Sequence, residues 1–152
     1  MKRFLVALVF LLGCAFGAQK VEITADEIFA DERVQVSTLT GNVVVNKGSF
    51  DRLNADKVVI NVDASRQPLK YTATGDVKFQ ILLSGKHYNG SCGKLIYEPQ
   101  KQLYTFEERV VLREIETNRV VNAQKITADQ AKGVYQTHNK KAPVRLIFEV
   151  QN

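Results

Sequence analysis

Apolar and polar residues alternate along most of this chain, and turn-forming residues interrupt the alternation about every ten residues. The apolar members of each set step by two, which places them on one face of a β-strand. The sets are Val43 and Val45; Val58, Ile60 and Val62; Val77, Phe79 and Ile81; Leu95 and Tyr97; Tyr104 and Phe106; Val110 and Leu112; Leu146, Phe148 and Val150. We therefore predict strands of about five to eight residues in an antiparallel meander.

The predicted turns contain Gly, Pro, Asn, Asp and Ser, the residues that favour turn geometry. They are residues 46–49, 63–68, 84–86, 98–101 and 116–119. Asn89-Gly90 has the composition of a two-residue hairpin turn, so we expect a turn there as well. Residues 25–32 are compatible with a helical turn, but we interpret them as a strand.

Two short elements recur along the chain. The first occurs as Ala25-Asp26-Glu27-Ile28, Ala55-Asp56-Lys57-Val58, Cys92-Gly93-Lys94-Leu95 and Ala123-Gln124-Lys125-Ile126, at spacings of 30, 37 and 31 residues. The second occurs as Gly41-Asn42-Val43, Gly75-Asp76-Val77 and a degenerate Glu108-Arg109-Val110. A repeat of this length indicates stacked units that share one core. Because the period inside each unit is two, we expect stacked β-hairpins with one face enclosed.

These elements resemble the OstA-like periplasmic lipopolysaccharide-transport proteins, the LptA type, over about residues 20–130. The resemblance is strongest at Thr24-Ala25-Asp26, at residues 39–45 and at residues 53–60. The sequence departs from the pattern at Glu108, where the third corner lacks its Gly, and at Gly93, which replaces an acidic residue. We expect both departures to weaken the register of the third repeat.

The resemblance implies an all-β fold, a twisted and open-ended β-jellyroll whose apolar interior holds the acyl chains of lipid A. It also implies head-to-tail assembly of several copies, bridging the inner and outer membranes. The implied partners are lipopolysaccharide, the inner-membrane-anchored and outer-membrane components of the same pathway, and further copies of the chain. A membrane-anchored relative shares the fold but has an N-terminal transmembrane helix, and the short apolar run here argues against that component.

The strand periodicity and the resemblance together predict which side chains form the lipid-binding groove. All of them have the same parity within their strands: Val43, Val45, Ile60, Val77, Phe79, Ile81, Leu95, Tyr97, Phe106 and Leu112. Periodicity alone does not distinguish a packed interior from one that admits lipid. An adaptor of β-solenoid type with a dry core, binding only proteins, is therefore the alternative function, and a small β-barrel carrier of another lipophile is the third.

The first and last predicted strands have unpaired edges, because the fold is open at both ends. These strands cover about residues 21–28 and 144–150. The edge residues predicted to mediate assembly are Val21, Ile23, Leu146, Phe148 and Val150. Strand addition at such edges supplies main-chain hydrogen bonds between copies.

The N-terminus has the layout of a secretory signal peptide: a basic start, an apolar run and a segment rich in small residues. The run is too short to span about 30 Å of hydrocarbon as a helix. Ala15-Phe16-Gly17 predicts cleavage before Ala18, giving a signal peptide of residues 1–17 and a periplasmic domain of residues 18–152. Alternatively, residues 11–14 resemble a lipobox that would leave Cys14 acylated.

Composition and charge support a β-rich protein without catalytic chemistry. Residues 18–152 contain 17 Val and 8 Ile against 9 Leu, which favours strands. Removal of residues 1–17 lowers the formal net charge from +5 to +3, so a nucleic-acid partner is not expected.

His87 and His138 are 51 residues apart and no metal-ligand spacing is present. We interpret both as surface residues and Cys92 as a small buried corner residue. No catalytic residue, metal or cofactor is predicted.

The basic residues of the strands allow two interpretations. They are spread along the chain: Lys47, Arg52, Lys57, Lys78, Lys94, Arg109, Arg113 and Lys125. In the first interpretation they form the solvated outer faces of the strands. In the second, some of them surround the opening of the groove and contact phosphate groups of a lipid through charge-assisted hydrogen bonds.

Overall fold

The computed structural model describes residues 20–150, which form ten β-strands in one antiparallel sheet. The strands are β1 (Val21–Thr24), β2 (Glu27–Asp31), β3 (Val36–Lys47), β4 (Asp51–Val62), β5 (Pro68–Leu83), β6 (Lys86–Glu98), β7 (Leu103–Glu114), β8 (Val120–Asp129), β9 (Val134–His138) and β10 (Arg145–Ile147). A short 3₁₀ turn, Pro99–Lys101, joins β6 to β7. The sheet order is β1-β3-β4-β5-β6-β7-β8-β10, with β2 beside β3 and β9 beside β8. The predicted all-β class and antiparallel meander are confirmed.

The central strands are longer than predicted because each of them continues through a bend. Strands β3 to β7 contain between 12 and 16 residues. At the bend between β3 and β4, Gly41 and Asn42 lie opposite the single residue Asp56. Such a β-bulge bends a strand and increases its twist without ending it. The expectation of separate strands of five to eight residues was therefore wrong.

The bends are aligned across the five strand pairs from β3/β4 to β7/β8, so the sheet folds into two halves. The first half-sheet contains β1, β10 and residues 43–47, 51–55, 77–83, 86–92, 110–114 and 120–123. The second half-sheet contains β2, β9 and residues 36–40, 57–62, 68–74, 94–98, 103–107 and 125–129. The two halves remain connected along the line of bends. We call the opposite edge, where their hairpin turns face each other, the seam.

Both half-sheets contribute apolar side chains to one core. Phe79 of the first half-sheet packs against Phe106 of the second, with ring centroids 4.8 Å apart. The largest fully buried side chains are Phe106, Ile60, Leu83, Val43, Val58, Val77 and Val110. Burying a side chain of this size stabilises a fold by about 1.5–3 kcal/mol. Packing between the half-sheets, with strand pairing, therefore holds the fold together.

The recurring corner elements occupy the bends, and the degenerate one adopts the same backbone as the others. Gly75 and Asp76 have φ values of +81° and +45°, and Glu108 and Arg109 have values of +67° and +51°. The left-handed region costs a non-Gly residue about 1 kcal/mol or more. The pairing of β7 with β8 nevertheless resumes directly after the third corner, at Val110 opposite Ala123. The expected weakening of register is not seen.

The hairpin between β5 and β6 turns within the predicted residues 84–86, and not at Asn89-Gly90. Ser84 and Gly85 form a two-residue turn with φ values of +51° and +77°, as a type I′ hairpin requires. Asn89 and Gly90 lie inside β6, so the turn predicted there was wrong. Gly90 is opposite Phe79, and a Cβ on Gly90 would lie 2.7 Å from Cζ of that ring. The glycine provides space for an aromatic ring.

The terminal strands differ in detail from the prediction. Of residues 25–32, which were expected to be a strand, residues 27–31 form β2, and β1 and β2 are separate strands that flank Ala25 and Asp26. Strand β10 has only three residues, so Phe148 and Val150 follow it instead of belonging to it. Strand β9 was not predicted.

The predicted signal peptide and the alternative site at Cys14 lie outside the described residues. Within residues 20–150 no helix has the length and hydrophobicity needed to cross a membrane.

Candidate functional site

An apolar cavity of about 350 Å³ lies between the two half-sheets. Its apolar lining comes from both halves: Val21, Val45, Leu53, Phe79 and Ile81 from the first, and Pro68, Tyr71, Leu95, Tyr97 and Tyr104 from the second. Lys47, Asp51, Gln67 and Gln100 add polar groups at strand ends and turns. The volume is at the lower end of the range for small-molecule sites, about 300–1,000 Å³. The cavity has room for a slender apolar group.

Aromatic rings form a continuous row along the inner face of the second half-sheet. Tyr71, Tyr97 and Tyr104 are cross-strand neighbours on β5, β6 and β7, with successive ring centroids 6.2 Å and 4.3 Å apart. Such pairs contribute about 0.5–1.5 kcal/mol beyond their burial. Burial raises the pKa of the Tyr71 phenol to about 12 and also raises the pKa of Tyr104. Tyr71 and Tyr104 therefore present neutral rings to the cavity.

Among residues 20–150, two polar contacts bridge the seam. Lys47 Nζ donates to the Tyr97 hydroxyl over 3.4 Å and lies 5.1 Å from the centroid of that ring. Ser84 Oγ is hydrogen-bonded to the Tyr135 hydroxyl. In each pair one residue belongs to the edge of the first half-sheet and the other to the second. Sequence reasoning missed both contacts, because the partners are 50 and 51 residues apart and no local pattern marks them.

All ten residues predicted to form the groove face the interior, but only half of them line the cavity. Seven are buried, and Val45, Tyr97 and Leu112 are partly buried against the core. The five that line the cavity are Val45, Phe79, Ile81, Leu95 and Tyr97. The others pack in or against the core: Val43, Ile60, Val77, Phe106 and Leu112.

Several cavity residues were absent from the predicted groove. They include Leu53, Pro68, Tyr71 and Tyr104. Only Tyr104 had a usable signal, because it shares its parity with Phe106 on the same predicted strand. Pro68 belongs to a predicted turn, and its packing against the cavity follows only from the approach of the two halves.

The predicted edge residues fall into two groups. Val21 and Ile23 have buried side chains on β1, which pairs with β3 on one side only. Leu146 is 55% exposed on β10, which pairs with β8 on one side only. Phe148 and Val150 are exposed at 53% and 72%. Within residues 20–150 the structure therefore has one unpaired strand edge at each end of the first half-sheet.

The titratable residues singled out from the sequence are dispersed. His87 Nδ1 contacts a Glu116 carboxylate oxygen, and its ring packs edge-on against Phe50 with centroids 4.6 Å apart. His138 is exposed on β9. Cys92 is buried at its corner, as predicted, and burial raises the pKa of its thiol to about 12. In residues 20–150 no three His, Cys, Asp or Glu side chains are grouped so that they could hold a metal ion.

The comparison with known proteins agrees with this architecture. Residues 22–134 match the family described as LptA/(LptD N-terminal domain) LPS transport protein, and the chain therefore belongs to that family. The chain is similar to the lipopolysaccharide export system protein LptA of Escherichia coli (strain K12) and to that of Shigella flexneri. Each is 30% identical over 113 residues, which are 72% of this chain and 59% of the relative. The chain thus spans about six-tenths of the length of these relatives.

A solved structure shows the same fold. The crystal structure of LptH from Pseudomonas aeruginosa, described as the LptA homologous periplasmic component of the lipopolysaccharide transport device, superposes with a TM-score of 0.72. The match covers 86% of this chain and 95% of LptH at 14% sequence identity. The folded and bent sheet is therefore the architecture of this family, which confirms the predicted open-ended β-jellyroll.

Proposed function

We propose that this protein is a periplasmic carrier of lipopolysaccharide that shields the acyl chains of lipid A between the inner and outer membranes. The observation that supports this function best is the apolar cavity between the half-sheets, lined by Phe79, Leu95 and Tyr97 among others. The relatives named for lipopolysaccharide export, and the periplasmic LptH, support the same role. In this proposal residues 1–17 direct export and are removed, and the chain acts as a carrier and not as an enzyme.

The free energy of exposing a lipid explains why a carrier is needed. Each methylene transferred from water into an apolar site gains about 0.8 kcal/mol, so a chain of about twelve carbons gains roughly 10 kcal/mol. A lipid with several chains therefore does not cross the periplasm unaided. A protein groove keeps the free energy of the acyl chains nearly level during transfer. Such a groove is passive, so net direction has to come from other components.

The strand edges support a role as a bridge. In the proposal, successive copies join head to tail, the edge of β1 in one copy pairing with the edge of β10 in the next. The two ends differ in sequence, so this contact propagates and does not close into a dimer. The inner-membrane-anchored and outer-membrane components of the pathway would dock at the two terminal edges in the same way. Val21, Ile23 and Leu146 lie on these strands.

The lipid-carrier function is tested by photo-crosslinking along β5. A photo-crosslinking residue at Phe79, which lines the cavity, should capture lipopolysaccharide. The same residue at Lys78, the exposed neighbour on the outer face, is the matched control and should capture none. Mass spectrometry of lipids extracted from the natively purified protein provides a second readout.

Two results would exclude the carrier function. One is equal capture at Phe79 and Lys78, and the other is the absence of lipid from natively purified protein. Either result would favour the adaptor with a dry core, whose function needs only the sheet edges. Circular dichroism of each variant confirms that it is folded before capture is compared.

A further inference from the structure

Lys47 is the basic residue whose side chain belongs to the inner face of the cavity. It ends β3, and its parity is that of Val43 and Val45, which face the interior. Its ammonium rests near the Tyr97 ring at the seam. Within residues 20–150 no carboxylate lies within ion-pair distance of Lys47, as the salt bridges of the structure involve other cations.

The other basic residue in the lining, Arg52, has its guanidinium engaged by a neighbour on its own strand. Arg52 has the outward parity of β4 and donates from Nε to Asn54 Oδ1 over 3.2 Å, a contact between neighbours on the outer face. Lys57 on β4 and Lys78 on β5 are exposed. Of the two basic residues in the lining, Lys47 therefore has the position from which a cation meets a ligand held in the cavity.

One carboxylate shares the mouth of the cavity with Lys47. Asp51 begins β4 and accepts a hydrogen bond from the Leu82 backbone N–H over 2.9 Å. Burial raises the pKa of Asp51, and the charges of Lys47 and His87 oppose that effect. An anionic ligand at this mouth is thus attracted by the Lys47 ammonium and repelled by the Asp51 carboxylate.

We infer that Lys47 determines the headgroup preference of the cavity, selecting an amphiphile with an anionic, phosphate-type headgroup over a neutral one with the same chain. The apolar lining takes the chain, and the headgroup remains at the seam. There its oxygens replace the Tyr97 hydroxyl as the partner of the ammonium. In the present contact only the donor is charged, whereas a phosphate oxygen is an anionic acceptor, so the hydrogen bond that replaces it is stronger. The exchange removes one of the two contacts that bridge the seam, so binding of an anionic amphiphile would loosen the seam on this side. This inference rests on the proposed lipid-carrier function.

The inference is tested with two single-chain ligands, dodecyl phosphate and a neutral dodecyl glucoside, by isothermal titration calorimetry. Lys47→Met keeps the length of the side chain and removes its charge. It should weaken binding of dodecyl phosphate about tenfold, the loss of roughly one charge-assisted hydrogen bond, and leave the glucoside unchanged. Lys57→Met, on the outer face, is the matched control and should change neither affinity.

A second variant should change the affinity for dodecyl phosphate in the opposite direction. Asp51→Asn removes the neighbouring negative charge and should strengthen binding of dodecyl phosphate several-fold without affecting the glucoside. Inorganic phosphate alone should not compete with dodecyl phosphate at equal concentration, because the apolar chain supplies most of the affinity. Equal competition would show that the site binds free phosphate and would overturn the inference.

The two proposals fail in different ways. If the unmodified protein binds neither ligand, the lipid-carrier function fails. If it binds both ligands and Lys47→Met changes their affinities equally or not at all, the carrier function stands and the role of Lys47 is wrong.

Discussion

The Glu108 side chain lies over Gly93, in the space that a side chain on residue 93 would occupy. A Cβ on Gly93 would come 2.7 Å from the Cβ of Glu108. The other corners have the same arrangement with the roles reversed: a Cβ on Gly75 would come 2.6 Å from the Cβ of Asp56. Each corner therefore has space for one acidic side chain over one glycine, and in the third repeat the two residues have exchanged strands. The two departures from the repeat compensate each other.

The exchange predicts a non-additive pair of substitutions. Gly93→Asp places two acidic side chains in the space of one and should lower the free energy of unfolding by about 1–3 kcal/mol. Combining it with Glu108→Gly restores the arrangement of the other corners and relieves the positive φ of residue 108, so the double variant should regain most of that loss. Urea denaturation of both single variants and the double variant measures the coupling. Additive losses would show that the two positions are independent.

The buried thiol of Cys92 predicts a loss of stability at alkaline pH. Burial raises its pKa from 9.0 to about 12, so the folded state holds the thiol proton more tightly than the unfolded state does. The stabilisation is complete below the unfolded pKa of about 9 and is lost as pH rises toward the folded pKa of about 12.

Cys92→Ala tests this linkage, since Ala occupies the matching position in the three other copies of this element. The fall in urea midpoint between about pH 8 and about pH 11 should be smaller in the variant than in the unmodified protein. Burial also raises the pKa of Tyr71 from 10.0 to about 12, so the unfolded state loses this proton at lower pH than the folded state does, and a residual fall should remain in both proteins. An identical fall in the two would contradict the linkage.

The C-terminal edge predicts the behaviour of a truncated protein. Deletion of residues 144–152 removes β10, the terminal strand that pairs with β8. The first half-sheet then loses the free strand edge that is proposed to pair with the next copy. We expect oligomers that grow with concentration in the unmodified protein and a monomer in the truncated one. The monomer should still bind lipid, because none of residues 144–150, the described part of the deleted segment, lines the cavity.

Sedimentation velocity over a range of concentrations measures this effect. Phe29→Lys, at a residue 62% exposed on β2 in the second half-sheet, is the control for a general loss of apolar surface. Oligomers that persist after the deletion would mean that β10 is not the contact.

The N-terminal segment predicts a defined processed mass. Cleavage after Ala15-Phe16-Gly17 should leave an exported protein that begins at Ala18. Cys14→Ser should leave that mass unchanged, because residue 14 is removed with the signal peptide. A diacyl or triacyl adduct on Cys14, measured by intact mass spectrometry, would support the lipobox interpretation instead.

The sequence by itself determined the class of fold, the direction of the side chains and the positions of most turns and bends. Alternation is a local property of an extended chain, so the inward direction of Phe79 and Leu95 follows from their parity alone. Gly41 and Gly75 mark bends because their positive φ values favour a residue without a Cβ. The same local signals did not show that a strand continues through a bulge. The prediction therefore treated the two halves of each long strand as separate strands.

Composition was insufficient where packing decided the role of a residue. Asn89-Gly90 has the composition of a turn, but Gly90 lies inside β6, where a Cβ would collide with the Val111 backbone carbonyl on one neighbouring strand and the Phe79 ring on the other. Gly93 and Glu108 were each interpreted as a defect in its own repeat. Only the pairing of β6 with β7 shows that one occupies the space left by the other.

The cavity and the seam were decided by the tertiary structure alone. The apolar faces pack tightly around Phe106 and leave a space beside Tyr97. This difference depends on the distance between the two half-sheets, which the five aligned bends set. Lys47 meets Tyr97 for the same reason, although 50 residues separate them. Strand periodicity sets only the face on which each side chain lies. The distance between two faces is a collective result of bend, twist and packing, and no single stretch of sequence contains it.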